Sequence, residues 1–189
     1  MNLTEKLQQH FNYAPLQKID PNTQGVTNNE HSVSGTFAQA AIPVILIGLY
    51  KFTRTDSGAD TIARGENTTD WVKTIFTGYS QKIITRASEY ASITFEDTEH
   101  KLNDIAAKAA ELIKEATGPD YKITAIKELM GSQRNDILTY LPAVLKTGEL
   151  MDDTTIDDRT NKMEGPISSL IQAIGSGFTG SDKDEKSEK

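Results

Sequence analysis

The sequence predicts an all-α fold: a compact multi-helix bundle with two proline-containing core helices and a long central helical hairpin. Three observations predict it. Apolar residues recur three and four positions apart over long stretches, as on one face of a helix. Asn or Thr stands where several of those stretches begin, with an acid or amide three positions on. No stretch alternates apolar and polar residues between hairpin turns.

Asn2 and Glu5 cap a short helix over residues 2–12, whose apolar face is Leu3, Leu7 and Phe11. Residues 12–35 are rich in Pro, Asn and Gly and read as an irregular connector. A helical core domain is expected over 36–150. It begins with Thr36 as N-cap and Gln39 as the capping-box partner. The helix that follows is apolar nearly all round through Leu49, so it is expected to be the most buried. Asp56–Ala63 forms a short helix stopped by Gly65.

Val72, Phe76, Tyr79, Ile83, Ala87 and Tyr90 then define one long helix, 71–91. Phe95, Thr98, Leu102, Ile105, Ala109, Leu112 and Ala116 define a second, 95–117, with Thr94 and Asp97 as its cap. The short connection makes the two antiparallel, a helical hairpin. Residues 121–130 predict a short helix ending at Gly131, and another runs from Ser132 or Asn135 through Leu145. An acidic loop (151–165), an amphipathic helix (166–178) and a disordered tail (179–189) without apolar residues complete the chain.

Pro43 and Pro142 fall inside the two apolar helical patterns. A proline inside a helix removes an amide donor and crowds the carbonyl four residues back, at a cost of ~3 kcal/mol if nothing compensates. The carbonyls concerned belong to Gln39 and Leu138. Each proline therefore marks either a kink or the first turn of a new helix, and both belong at bends of the core.

These two regions, "FAQAAIPVILIGLYKFTRTDSGADTI" and "IKELMGSQRNDILTYLPAVLKTGEL", resemble the paired leucine-proline helices of the YidB-like bacterial proteins. The family's Pro-Asp-Gly-type turn after the second helix is replaced here by "MDDTTIDD". The resemblance implies a small helical bacterial protein of unknown function, and it carries no catalytic residue with it.

The 189 residues suffice for one domain with a core. Lys and Arg number 20 against 27 Asp and Glu, a formal charge of −7 and a pI near 5.0. That balance argues against nucleic acid and against an anionic membrane surface. The chain has no cysteine, which excludes disulfides and thiolate chemistry. The N-terminus lacks a signal-peptide core, and the apolar run Phe37–Leu49 is shorter than the ~20 residues of a transmembrane span. A cytoplasmic protein without a transmembrane segment is expected.

Asp153, Thr155, Asp157, Asn161 and Glu164 match the ligand spacing of an EF-hand calcium loop. Asp158 stands where that loop needs glycine and Thr160 where it needs an apolar residue, so a solvated acidic loop is the better reading. No serine elbow, phosphate loop or paired histidine motif occurs, and neither a cofactor nor an enzyme is expected. Two functional classes remain. One is protein–protein association or self-association, with Ile167, Leu170, Ile171, Ile174 and Phe178 as a docking stripe. The other is a carrier of a small apolar ligand, with Trp71, Phe76 and Tyr79 lining a bundle pocket beside residues 45–50.

Overall fold

The protein is described from a computed structural model at residues 1–19, 33–65, 68, 70–118 and 122–150. In chain order the helices are α1 (Leu3–His10), α2 (Val33–Thr53), α3 (Asp56–Arg64), α4 (Trp71–Ile75), α5 (Ser80–Ala91), α6 (Phe95–Thr117) and α7 (Ile123–Tyr140). A 3₁₀ turn (Ala143–Leu145) and the single-turn α8 (Thr147–Leu150) follow. Among the described residues there is no β-strand. The fold is all-α, a compact helical bundle.

Helix α2 explains the arrangement. Phe37, Ala38, Ala40–Ile42 and Val44–Ile47 point in every direction around it, and all are buried. A helix apolar on every side must be clothed on every side. Helices α1, α3, α4, α5, α6 and α7 all pack against it. Among the described residues it is the one helix long and apolar enough to cross a membrane, and 72% of that apolar window (within Gly35–Thr53) is buried inside the bundle.

Local signals place the surrounding helices. Asn2 Oδ1 accepts from the Glu5 amide at 3.1 Å, starting α1 as its sequence predicts. Leu3 and Leu7 are fully buried in the same core as α2, so the core extends across the expected division at residue 35. Thr55 caps α3, and Gly65, at φ +64°, ends it. Thr94 Oγ1 accepts from the Asp97 amide at 3.1 Å and starts α6. Thr98, Leu102, Ile105 and Ala109 form the buried seam of α6, whereas Phe95 and Ala116, expected on it, are exposed.

The hairpin of the sequence reading is present with its first arm broken. Instead of one helix over 71–91, α4 ends at Ile75 and α5 begins at Ser80. Gly78, at φ +82°, supplies the left-handed residue that turns the chain. The break lets Phe76 turn into the core and leaves Tyr79 exposed at the turn. Both halves still pack on α6.

Helix α4 has only five residues and is held from outside. Asp70 Oδ1 accepts from the Lys73 amide at 3.0 Å, and Asn103 Oδ1, on α6, accepts from the Val72 amide at 3.0 Å. Burial raises the Asp70 carboxyl, but the Lys73 ammonium, the Lys73 amide and the Asn103 side chain outweigh it and hold the pKa below the usual value. Because this pKa is lower in the folded state, its stabilisation is complete above the ordinary carboxylate range and is lost as pH falls through and below it. Asp70→Ala is expected to cost about 1 kcal/mol at pH 7. The difference from wild type should shrink towards pH 3 in urea titrations; a difference constant with pH would contradict this account.

Helix α7 corrects two expectations. It runs unbroken through Gly131, because Ile126, Met130 and Ile137 continue one buried stripe across that exposed glycine. It also ends before Pro142, which lies outside any helix, so the core holds one proline-containing helix rather than two. Proline disfavours helical backbone in the residue before it, and Leu141 is extended at φ −78°, ψ 115°. Pro142 then leads the 3₁₀ turn. Pro43 and Pro142 are both buried, as a place at core bends requires.

Candidate functional site

The residues proposed for an apolar pocket are not assembled around one. Trp71 and Phe76 belong to the buried core. Phe76 lies directly on Gly48 of α2: a Cβ there would stand 2.3 Å from Phe76 Cζ and 2.8 Å from Ile75 Cγ2. Tyr79 is 38% exposed and lines neither of the grooves described below. The docking stripe Ile167, Leu170, Ile171, Ile174 and Phe178 lies outside the described residues, as do the calcium candidates Asp153, Thr155, Asp157 and Glu164. Among the described residues no three His, Asp or Glu side chains converge on a possible metal position.

The more informative surface lies where residues 13–19 meet the end of α7. Residues 13–19 cross the end of α7 as an extended strap. Gln39, 1% exposed on α2, holds it. Its Oε1 accepts from the Gln17 amide at 2.8 Å, and its Nε2 donates to the Gln17 carbonyl at 3.0 Å. One side-chain amide thus takes the place of a neighbouring strand. The same Nε2 donates to the Tyr140 carbonyl at 2.8 Å, and the Ile19 amide donates to the Thr139 carbonyl at 2.9 Å. These are carbonyls of the last turn of α7, which its own helix cannot satisfy. Gln39, read from sequence as a capping-box partner, therefore has a different task. Helix α2 begins at Val33, and Thr36 lies inside it.

This closure shapes a groove of about 530 Å³ between α1, the strap and the end of α7. Glu5, Gln8, Gln9 and Asn12 form one side; Tyr13, Pro15 and Leu16 come from the strap; Tyr140 closes it from α7. Gln8 Nε2 donates to the Ala14 carbonyl at 3.1 Å and fixes the strap's start. The Tyr13 ring stacks on Phe11, with centroids 5.8 Å apart, and meets Phe37 edge-on at 6.4 Å.

Its electrostatics are one-sided. Burial raises the Tyr13 phenol, and Asp104 adds to the rise. Burial also raises Tyr140, with Asp136 and Glu5 contributing. Carboxylates from three helices thus act on the two phenols. Among the described residues lining the groove there is no lysine or arginine. One turn before Tyr140, Asp136 Oδ2 is buried without a hydrogen-bond partner.

A second groove, of about 380 Å³, lies between α5 and the 3₁₀ turn, lined by Arg86, Glu89, Tyr90, Val144, Leu145 and Lys146. Arg86 Nη1 donates to the Leu145 and Lys146 carbonyls at 2.9 and 3.1 Å. That guanidinium serves the turn, and the groove exposes one large apolar residue, Val144 at 65%.

Sequence reasoning missed Glu5, Tyr13 and Tyr140. Tyr13 and the rest of the strap fall in a stretch with no periodicity. Nothing local announces that the strap meets α7.

Fold and surface together define a class: an all-α bundle bearing an acidic, tyrosine-lined surface groove. No family model, no curated protein and no solved structure matches this chain.

Proposed function

We propose that this chain is a non-enzymatic association module that docks a protein partner in the groove formed by α1, the strap and α7. The observation supporting this is the groove itself, with two tyrosines and a leucine set among amide and carboxylate side chains. Tyrosine combines a large apolar face with a polar tip, which is why it is enriched where proteins meet. The walls are held by partly buried hydrogen bonds, so little ordering is needed on docking.

A different protein fits better than a second copy. In a groove-to-groove contact between copies, each Glu5 would face the same acidic surface. The resemblance to the YidB-like bacterial proteins and a cytoplasmic location belong to the same proposal. Both agree with a helix α2 that is clothed by its own bundle. The carrier reading would need space beside Phe76, where Gly48 leaves none for a methyl group.

The test is a photo-crosslinking amino acid at Gln9, an exposed residue on the groove's rim. In cells of the source organism the expected result is one discrete adduct, absent when the same group replaces Lys82, exposed on α5. Equal adducts at both positions, or none at Gln9, would overturn the proposal.

A further inference from the structure

We propose that the groove receives a cationic side chain of the partner, an arginine, whose guanidinium lies against Tyr13 and Tyr140 and pairs with the carboxylate of Glu5. The inference rests on the association reading and adds the partner's chemistry.

Charge complementarity carries it. Glu5 lines the groove, and Asp136, outside its lining, acts together with Glu5 on the Tyr140 phenol. Among the described residues no cation lines the groove to offset them. What the site lacks is therefore positive charge.

The aromatic lining selects among cations. A guanidinium stacks on a tyrosine face and still directs its N–H groups at carboxylates in its own plane. The same row of rings already holds one cation: Lys101 Nζ lies 5.5 Å from the centroid of Phe37, the ring that Tyr13 meets edge-on. Phe37 is closed off in the core, whereas Tyr13 and Tyr140 line open space.

The probe is N-acetyl-arginine amide, followed through the tyrosine ring signals of the full chain by NMR. N-acetyl-citrulline amide, nearly the same shape without the charge, is the control. Saturable shifts of Tyr13 and Tyr140 with arginine are expected, at least tenfold weaker with citrulline, and weakened severalfold in 0.5 M salt (~4 Å Debye length). Glu5→Gln, on an exposed side chain that leaves the Asn2 cap intact, should lower the affinity about threefold to tenfold. Equal binding of citrulline, or no shift at either tyrosine, would overturn the inference. Spermidine binding tenfold tighter than arginine would also overturn it, in favour of a free polyamine. Loss of the Gln9 adduct in Glu5→Gln would support it. If the adduct persists while arginine fails to bind, the cation is wrong and association stands. If arginine binds while wild type gives no adduct, association is wrong and the cation site stands.

Discussion

Replacing Gln39 by leucine is expected to destabilise the protein by about 3–5 kcal/mol, a large share of the ~5–15 kcal/mol that holds a domain of this kind together. Leucine has a similar volume and would fill the space, so loss of packing is not the cause. What goes is the partner of three backbone groups: the Gln17 amide, the Gln17 carbonyl and the Tyr140 carbonyl. A buried polar group left unpaired costs about 1–3 kcal/mol. Urea titration measures the total. Hydrogen exchange locates it, because the Gln17 and Ile19 amides should lose protection well beyond the global change. A loss below about 1 kcal/mol, or exchange that rises uniformly, would show that the strap does not depend on this side chain. Gln39→Glu keeps an acceptor for the Gln17 amide but removes both donors and places a charge in the core. It should be at least as damaging at pH 7.

The second large effect is expected at Gly48. Gly48→Val should cost about 3 kcal/mol, because a side chain has nowhere to go between α2 and the α4–α5 turn. A Cβ alone would meet Phe76 Cζ at 2.3 Å and Cε1 at 2.5 Å, and that ring is itself 2% exposed and cannot swing into solvent. In an open helix, replacing glycine would instead be favourable or neutral. The sign of the effect therefore tests the packing. Combining Gly48→Val with Phe76→Leu should recover at least about 1 kcal/mol as coupling energy between the two sites. Strict additivity of the two substitutions would mean that the ring and the glycine do not touch. Thermal unfolding of the two single variants and the double variant closes the cycle.

The two sites differ in how far the sequence announces them. The burial of α2 is legible, because a run that is apolar in every direction has one solution. So are the caps at Asn2 and Thr94 and the stop at Gly65, which are set by residues within a few positions. The seam spacing places Phe76 in the core, where it is buried. Its seat on Gly48 could not be read, since it depends on a break at Gly78 that the uninterrupted spacing of Val72, Phe76 and Ile83 conceals. The end of α7 was misread for a related reason. Leu141 and Leu145 keep a helical spacing that the backbone does not follow, and Pro142 decided the matter locally. The groove was least legible of all. Its walls come from residues 5–16 and 140, and nothing in a one-dimensional pattern weighs a contact of that span. Gln39 looked like a cap because it stands three residues after a threonine, while its partners lie on two other segments.

The bond from Gln39 to Tyr140 spans 101 residues, and that from the Leu3 amide to Gln133 Oε1, at 3.1 Å, spans 130. During synthesis the strap and α1 are made well before Gln133, Thr139 and Tyr140, which bond to them or to Gln39. Until then the Gln17 and Gln39 amides can pair only with water or with each other, and the nascent bundle stays unlatched. At ~5–20 residues per second that interval lasts several seconds. The strap's bonds to α7 can close only after Tyr140 has been made.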